Sequence, residues 1–380
     1  MRVHVSERVA ALLLLGAALL GLALCNSPIS GALLTALHFK PETPFLGFSL
    51  DVSGWIKDGL LAVFFLLAAI ELRFELSRGE LADGKRALVP VVAAVGGVIA
   101  PALIFLLIVQ DRSLQAGWPI PTATDIAFAL GLLAMIGRWL PKRIRALLLA
   151  LAVIDDLIAI IIIGVFFTKD LNAIPLLIAV PVVLLFGWLS YRTSVLRSFA
   201  MILLAIGAWW LVALSGVHPT IAGVALGLAL AGPAGERIRE RLEPISNILI
   251  LPIFAFTAAA VIIPNVGIAG LSPVFWAIVV ALPVGKIVGI LIAGFIGSRL
   301  AVASDDRIAI PDLAVVAGLG GVGFTVSLLM NELAFEANHT IAAEGTLAVL
   351  AASGISAILG ITIGLIRSRH YRKLHSASSS

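Results

Sequence analysis

Long apolar runs, separated by short polar or charged stretches, dominate the hydropathy pattern of this 380-residue chain. Most runs are close to the 20 residues or so that an α-helix needs to cross the hydrocarbon core of a bilayer. Divided at charges, Pro/Gly clusters and polar turns, the pattern predicts twelve spans. They lie at 9–26, 56–76, 87–109, 118–137, 144–167, 173–190, 197–214, 217–232, 246–263, 273–296, 311–331 and 344–366. We therefore expect an all-α integral membrane protein with twelve transmembrane helices.

Composition agrees with a membrane environment and excludes several other classes of protein. Hydrophobic residues make up 61% of the chain, charged residues make up 13%, and the mean hydropathy is +1.12. A soluble globular protein is nearer half apolar and a quarter charged. Disordered, disulfide-framed and nucleic-acid-binding proteins are excluded on these grounds. Because Cys25 is the lone cysteine, the chain has no internal disulfide and no cysteine metal site.

Lys and Arg residues are divided very unevenly between alternate loops of this topology. One side holds 21 of the 26 basic residues, whereas the other holds only Lys40, Arg112 and Lys169. Basic loops favour the cytoplasmic side, so both termini are predicted to be cytoplasmic. The net charge of +4 therefore reports topology, and it gives no indication of a polyanionic partner.

Three segments allow more than one interpretation. The first run could be a signal peptide, but Leu24 is too large for the position before Cys25 in a lipoprotein cleavage site, which favours an uncleaved span. The connection at 27–55 is either an irregular loop or a small hairpin around 45–52. The basic and then serine-rich tail at 367–380 is expected to fray.

Several ionisable residues lie within the predicted spans, where a central charge costs about 3 kcal/mol even on a lenient insertion scale. The deep ones are Asp125 in the fourth span, Asp155 and Asp156 in the fifth, and Lys286 in the tenth. These four must face water or one another, and three acids with one base leave negative charge for a cation. Residues nearer the span ends can reach the membrane interface. For them the sequence supports a structural role and a functional role equally. They are Asp58, Glu71 and Glu75.

The fourth and eleventh spans are both interrupted. Segment 118–128 carries two prolines, which remove backbone donors, and segment 317–325 carries four glycines within six residues. The glycines either unwind the helix or allow tight helix packing. Spans three to five and ten to twelve run in opposite directions, so the interruptions occupy matching places in two inverted triplets. Such pairs of interruptions indicate a transport site near the midplane.

Crossing of the two broken helices would bring half-helix ends with opposite partial charges together. Asp125 is predicted to neutralise the positive ends, and Lys286 the negative ends. This architecture accounts for two of the four deep charges. The adjacent Asp155 and Asp156 are left for the transported ion.

Several motifs in this order resemble the bacterial sodium/proton antiporters of the NhaA type. They are LAVFFLLAAIELRFEL at 61–76, PTATDIAFALG at 121–131, LAVIDDLIAIIII at 151–163, SGVHPTIAGV at 215–224, GK..GI at 285–290 and GVGFTVS at 321–327. The similarity runs from about residue 10 to 368. This family is itself one in which inverted repeats are recognised, so the topology argument and the resemblance are not independent.

The resemblance implies a single transporter domain over 1–380, in which spans three to five and ten to twelve form the ion-binding core. Spans one, two, eight and nine, with the 27–55 loop, would form a panel that carries a homodimer contact. It also implies a multi-pass protein of the bacterial inner membrane that exports Na⁺ for more than one H⁺, accepts Li⁺, and serves pH and sodium homeostasis. Neither an enzymatic reaction nor a cofactor is expected.

The resemblance also assigns roles to individual residues. Asp156 matches the main cation ligand, Asp155 matches its neighbour that can pair with Lys286, and Thr124 and Asp125 match the break in the fourth span. Accessory or pH-response positions match a further set, namely Asp58, Glu71, Glu75, His218 and Glu243. Three ionisable groups expected around the cytoplasmic pH-response positions are replaced by Phe74, Pro244 and Asn247, which predicts a pH response that is shifted or broader than the family's.

Elementary chemistry explains how such a site would work. Na⁺ prefers oxygen ligands, and two neighbouring buried carboxylates can hold either a cation or protons. If such a site is exposed alternately to the two sides, it exchanges one ion for the other. Two alternatives remain at this point. They are a sodium-coupled symporter of a small solute and, more remotely, an intramembrane aspartyl protease, which also uses two membrane aspartates.

Overall fold

The computed structural model describes residues 7–41, 47–79, 81–168, 170–191, 194–300 and 308–378, and every regular element in them is helical. The helices are α1 (Glu7–Cys25), α2 (Ser30–Leu37), α3 (Val52–Gly54), α4 (Leu61–Arg78), α5 (Gly84–Ile108), α6 (Ile126–Ile136), α7 (Lys142–Phe166), α8 (Ala173–Leu189), α9 (Val195–Leu214), α10 (Thr220–Ala229), α11 (Gly232–Ile245), α12 (Leu251–Ala258), α13 (Pro273–Val280), α14 (Lys286–Leu300), α15 (Ile310–Gly320), α16 (Phe324–Ala334) and α17 (His339–Ser378). Three π-helical turns, at Trp55–Leu60, Ser246–Ile250 and Ala281–Gly285, join α3 to α4, α11 to α12 and α13 to α14.

The all-α membrane class is confirmed. Among the described residues, eight helical stretches are long and apolar enough to cross a bilayer, and α15 with α16, bent by 48°, makes a ninth. The remaining predicted spans correspond to α8 and α10, which are shorter apolar helices, and to α4, which carries four charged residues. The count of twelve spans stays a prediction.

Two loop predictions differ from the structure. The 27–55 connection contains the helix α2, which the sequence pattern did not predict, and the described parts of the proposed hairpin form no strand. Residues 42–46 of that connection, which include the first two positions of the proposed hairpin, lie outside the described residues. The fraying predicted for 367–380 is wrong for its described part, because α17 continues as far as Ser378. Arg367 and Tyr371 hold this part of the helix by binding a buried carboxylate.

The chain divides into two compact units. The first contains 14–74 and 160–260, and the second contains the described residues of 7–13, 75–159 and 261–378. The second unit holds the predicted spans three to five and ten to twelve, apart from the last turns of α7. The first holds span one from residue 14 onward, nearly all of spans two and nine, and span eight, together with α8 and α9, which the predicted panel had left out.

Small residues bring helices of the first unit into backbone contact. A Cβ atom added at Gly223 of α10 would lie 2.0 Å from the carbonyl oxygen of Ala62, and one at Gly227 would lie 2.5 Å from that of Leu66. Glycine is therefore required where α10 crosses α4. Close approach of this kind is the usual means by which transmembrane helices pack, because lipid offers no hydrophobic gain for their association.

Candidate ion-binding site

The two interrupted spans touch each other at their breaks, within the second unit. In the fourth span, a 3₁₀ turn at Ile120–Thr122 is followed by extended backbone up to the start of α6. The backbone N–H of Asp125 donates to the carbonyl of Val322 at 2.7 Å, and the Ser327 hydroxyl donates to the carbonyl of Ile120 at 2.7 Å. Backbone groups freed by one break are thus satisfied by the other.

Asp125 serves the N-termini of two half-helices. As the N-cap of α6 it accepts from the backbone N–H of Phe128 at 2.9 Å. Its other oxygen accepts from the backbone N–H of Thr325 at 3.2 Å and from the Thr325 hydroxyl at 2.7 Å, in the first turn of α16. The rings of Phe128 and Phe324 stack at 5.5 Å between centroids. One carboxylate therefore lies between two positive helix ends, as the sequence predicted.

Thr124 occupies the negative end of α15, where the sequence had predicted Lys286. The Thr124 hydroxyl lies 2.7 Å from the carbonyl oxygen of Gly320, the last residue of α15. The same hydroxyl lies 2.7 Å from Oδ2 of Asp155. Thr124 consequently joins three elements: the break of the fourth span, the end of α15, and α7.

Lys286 is directed instead to Asp155. Its Nζ atom lies 2.6 Å from Asp155 Oδ2, and neither side chain is exposed. The aliphatic stem of Lys286 packs beside Gly97 of α5. A Cβ atom at Gly289 would lie 2.1 Å from the Gly96 carbonyl oxygen, so α14 and α5 are in backbone contact. This contact explains the glycine that follows the lysine in the GK..GI motif.

Asp155 and Asp156 present buried oxygens that have no hydrogen-bond partner. All five side chains of the cluster formed by Thr124, Asp125, Asp155, Asp156 and Lys286 are between 0% and 3% exposed. Within it, Oδ1 of Asp155 and Oδ2 of Asp156 are unpartnered. A buried carboxylate oxygen is normally paired or bonded, so two unpaired oxygens on adjacent residues indicate a site for a proton or a cation.

Asp58 and His218, two of the predicted accessory residues, form a pair within the first unit. His218 Nε2 lies 3.5 Å from Asp58 Oδ1, and His218 Nδ1 lies 2.7 Å from the Thr220 hydroxyl. The indole N–H of Trp209 donates to the backbone carbonyl of Asp58 at 3.0 Å. The histidine predicted to act in pH response therefore has a carboxylate as its direct neighbour.

Glu71, another of the predicted accessory residues, contacts Arg239 within the first unit. Arg239 forms an ion pair with Glu71, and its guanidinium lies over the ring of Phe74 at 5.9 Å. Glu75 is buried and Glu243 is exposed. Where the resemblance led us to expect a basic residue, this chain thus has an aromatic ring that packs under the arginine pairing with Glu71.

Sequence reasoning missed several polar residues that hold the site together. Thr325 and Ser327 bind Asp125 and the fourth-span break, and the Ser353 hydroxyl accepts from the backbone N–H of Phe324 at 3.2 Å. Hydroxyl residues directly after a glycine break are the signal that could have identified the first two. Ser353 lies in the middle of α17 and gives no such signal.

Curated proteins from several bacteria resemble this chain over nearly its whole length. An antiporter named Na⁺/H⁺ antiporter NhaA 2 from Clavibacter michiganensis is 50% identical, covering 98% of this chain and 93% of that protein. The Na⁺/H⁺ antiporter NhaA of Frankia casuarinae is 42% identical over 97% of this chain and 87% of its own length. That of Mycolicibacterium smegmatis is 40% identical over 98% and 89%.

A family model points the same way as these relatives. The model for Na⁺/H⁺ antiporter 1 matches residues 1–363, which include both interrupted spans and every residue of the cluster described above. Membership also agrees with the many apolar helices of the structure. This chain is a multi-pass bacterial membrane protein that belongs to the Na⁺/H⁺ antiporter 1 family.

Proposed function

We propose that this protein exchanges Na⁺ for H⁺ across the membrane, with Asp155 and Asp156 as the site at which the two ions compete. The observation that carries the proposal is the pair of buried, unpartnered oxygens, Asp155 Oδ1 and Asp156 Oδ2. They lie where two interrupted helices meet, as expected of a transport site near the midplane. The names of the relatives support the same activity for this chain.

Charge accounting within the cluster singles out Asp156. Lys286 balances Asp155 through a direct ion pair, and two helix N-termini balance Asp125. Asp156 takes part in no ion pair of this cluster. A carboxylate in such a place needs a proton or a cation, so uptake of one ion excludes the other. When the site opens alternately to the two sides, this competition produces antiport.

A transported Na⁺ would complete its oxygen shell with more than the two carboxylates. Within the described residues, no three His, Cys, Asp or Glu side chains are arranged to hold a metal ion. The Thr124 hydroxyl, 2.7 Å from Asp155, and backbone carbonyls at the breaks are the further oxygens at hand. Na⁺ is the cargo of this site, and we propose no resident cofactor.

Nothing in the site favours the symporter or the protease. A protease of the two-aspartate type needs carboxyl groups that face each other and share a proton. Asp155 and Asp156 are neighbours on one helix, about 100° apart around its axis. Asp125, the third acid of the cluster, is engaged by backbone and hydroxyl donors of two half-helices.

The remaining features of the proposal concern location and stoichiometry. We propose a protein of the inner membrane with both termini in the cytoplasm, on the strength of the 21 basic residues on one side against 3 on the other. Electrogenic exchange, a homodimer, and a role in pH and sodium homeostasis extend the family resemblance to this chain. The first unit, which holds α1 from Leu14 onward, α2 and the described part of the 27–55 connection, is the proposed dimer surface.

Ion selectivity provides the direct test of the proposal. We expect Na⁺ and Li⁺ to release protons from acidified everted vesicles, and K⁺ and choline to have little effect, because a small carboxylate site favours small cations. The measurement is dequenching of a proton-gradient dye at several pH values. Vesicles from cells without the protein are the control. Equal dequenching by K⁺ would contradict the proposed selectivity.

The pH profile of exchange is expected to be broader than, or shifted from, that typical of the family. Phe74, Pro244 and Asn247 replace ionisable groups there, and Arg239 is already engaged by Glu71 and the ring of Phe74. The same vesicle assay, repeated in small pH steps at saturating Na⁺, measures the profile. A steep profile that switches off at neutral pH would show that the missing groups are not needed.

A further inference from the structure

A second buried acid, Asp312, lies in the first turn of α15, outside the ion-binding cluster. Its side chain is fully buried and accepts from Arg367 Nε at 2.6 Å on one oxygen. Its other oxygen accepts from Arg143 Nη2 at 2.7 Å and from the Tyr371 hydroxyl at 2.8 Å. We call these four residues the Asp312 cluster. It ties α7, α15 and α17 together through one carboxylate.

The Asp312 cluster and the ion-binding site lie at different levels along the same two helices, α7 and α15. Arg143 precedes Asp155 on α7 by about 18 Å, and Asp312 precedes Gly320 on α15 by about 12 Å, at 1.5 Å per residue. At the second level, the Thr124 hydroxyl joins Asp155 to the Gly320 carbonyl. Helices α7 and α15 are therefore linked at two levels, near the start of both helices and again between the middle of α7 and the end of α15.

Packing along α15 makes the ionic link important for its position. A Cβ atom at Gly318 would lie only 2.9 Å from the Cα of Gly360, so α15 and α17 touch through backbone. Smooth contacts between small residues set the distance between helices but resist sliding along the axis weakly. Directional hydrogen bonds to a buried carboxylate resist such sliding well.

We propose that Asp312 is a positioning residue for the ion-binding site. Held by Arg143, it fixes α15 along its axis, so that the Gly320 carbonyl meets Thr124 and Thr124 meets Asp155. Loss of the link lets the end of α15 shift, which weakens the oxygen arrangement that receives Na⁺. The inference rests on the proposed ion site at Asp155 and Asp156.

Arg143→Gln tests this proposal against a closely matched control, Arg145→Gln. Both arginines lie in the first turns of α7 and are about half exposed, but Arg145 pairs with Glu7 of α1. Either change removes one positive charge from the first turns of α7. We expect the apparent KM for Na⁺ to rise roughly tenfold in Arg143→Gln, the low end for lost outer-shell support. The maximal rate should be retained, and Arg145→Gln should keep the KM of the unaltered protein.

Asp312→Asn provides a second variant, and Na⁺-induced thermal stabilisation of purified protein provides a second measurement. We expect Asp312→Asn to raise the Na⁺ concentration needed for stabilisation at least as much as Arg143→Gln does. Equal KM values in Arg143→Gln and Arg145→Gln would overturn the positioning role, even if Asp312→Asn fails to fold. Absence of Na⁺-driven flux in the unaltered protein would instead overturn the proposed function.

Discussion

Asp156→Asn is expected to abolish sodium-driven proton movement at every pH while the folded protein remains in the membrane. Asparagine keeps the shape and hydrogen-bonding capacity of the side chain but removes its charge and its titratable proton. The side chain is buried, and its Oδ2 has no partner in the structure. Because Asp156 is the acid without a counter-charge in the cluster, no neighbouring acid can take over its role. The measurement is dye dequenching in everted vesicles.

Asp111→Asn is the matched control for this experiment. Asp111 is an exposed acid between α5 and the fourth-span break. Hydrogen bonds from the hydroxyl and then the backbone N–H of Ser113 hold the pKa of Asp111 below its usual value, so it is charged at working pH. Its replacement removes one carboxylate outside the ion site. Full exchange is expected, with the same amount of folded protein as for Asp156→Asn.

Thermal stabilisation by Na⁺ shows whether a variant has lost Na⁺ binding or only the transport of ions across the membrane. A ligand at about 100 times its dissociation constant stabilises the folded state by about 2.7 kcal/mol. The unaltered protein and Asp111→Asn should therefore melt at higher temperature in Na⁺ than in choline, and Asp156→Asn should not. Retained sodium-driven flux in Asp156→Asn would contradict the site assignment.

The architecture of the site was largely predictable from local sequence signals. Prolines at 119 and 121 and the glycines at 318–323 act on their own helices, so their effect can be read without knowing any partner. Charged residues in long apolar runs are equally easy to recognise. Because a charge within the bilayer is costly, such residues indicate a functional site. These signals together predicted that Asp125 lies between two helix N-termini, and the structure has it there.

Features that depend on partners distant in sequence could not be predicted in the same way. The Thr124 hydroxyl and the Gly320 carbonyl belong to residues 196 positions apart in sequence. Any other hydroxyl or cation near the end of α15 could have bound this carbonyl in place of Thr124. Asp312 begins a span near the predicted interface, where an acid usually reaches water. Only the folded chain brings Arg143 and Arg367 to it.

The π-helical turns were missed for a related reason. One begins two residues after Pro244, which cannot donate to the preceding turn, and another contains Pro283, two residues before Gly285 and three before Lys286. A proline in a helix predicts a disturbance, but whether a kink or a wider turn results depends on packing. In the second case the wider turn precedes the residue that reaches Asp155.

Asp155→Asn is expected to act mainly on stability, in contrast to Asp156→Asn. The change leaves the Lys286 ammonium, which is fully buried, without its counter-charge. Removing one partner of a buried ion pair typically destabilises a protein by about 3–5 kcal/mol, because the remaining charge stays uncompensated. The melting temperature in detergent should fall clearly, and the coupling of proton to sodium movement should change. Lys286→Gln should also lower the melting temperature, because it leaves the buried Asp155 carboxylate without its counter-charge.

The double variant Asp155→Asn/Lys286→Gln tests the pairing itself. Glutamine and asparagine can bond to each other without a buried charge, so the double variant should recover part of the stability that Asp155→Asn loses. Residues in direct contact typically show coupling energies of about 0.5–3 kcal/mol in such a cycle. Melting temperatures of the four proteins, measured in choline to avoid ion binding, give the coupling. Losses that simply add in the double variant would mean that Lys286 and Asp155 do not stabilise each other, and the 2.6 Å contact between them would then have no energetic role.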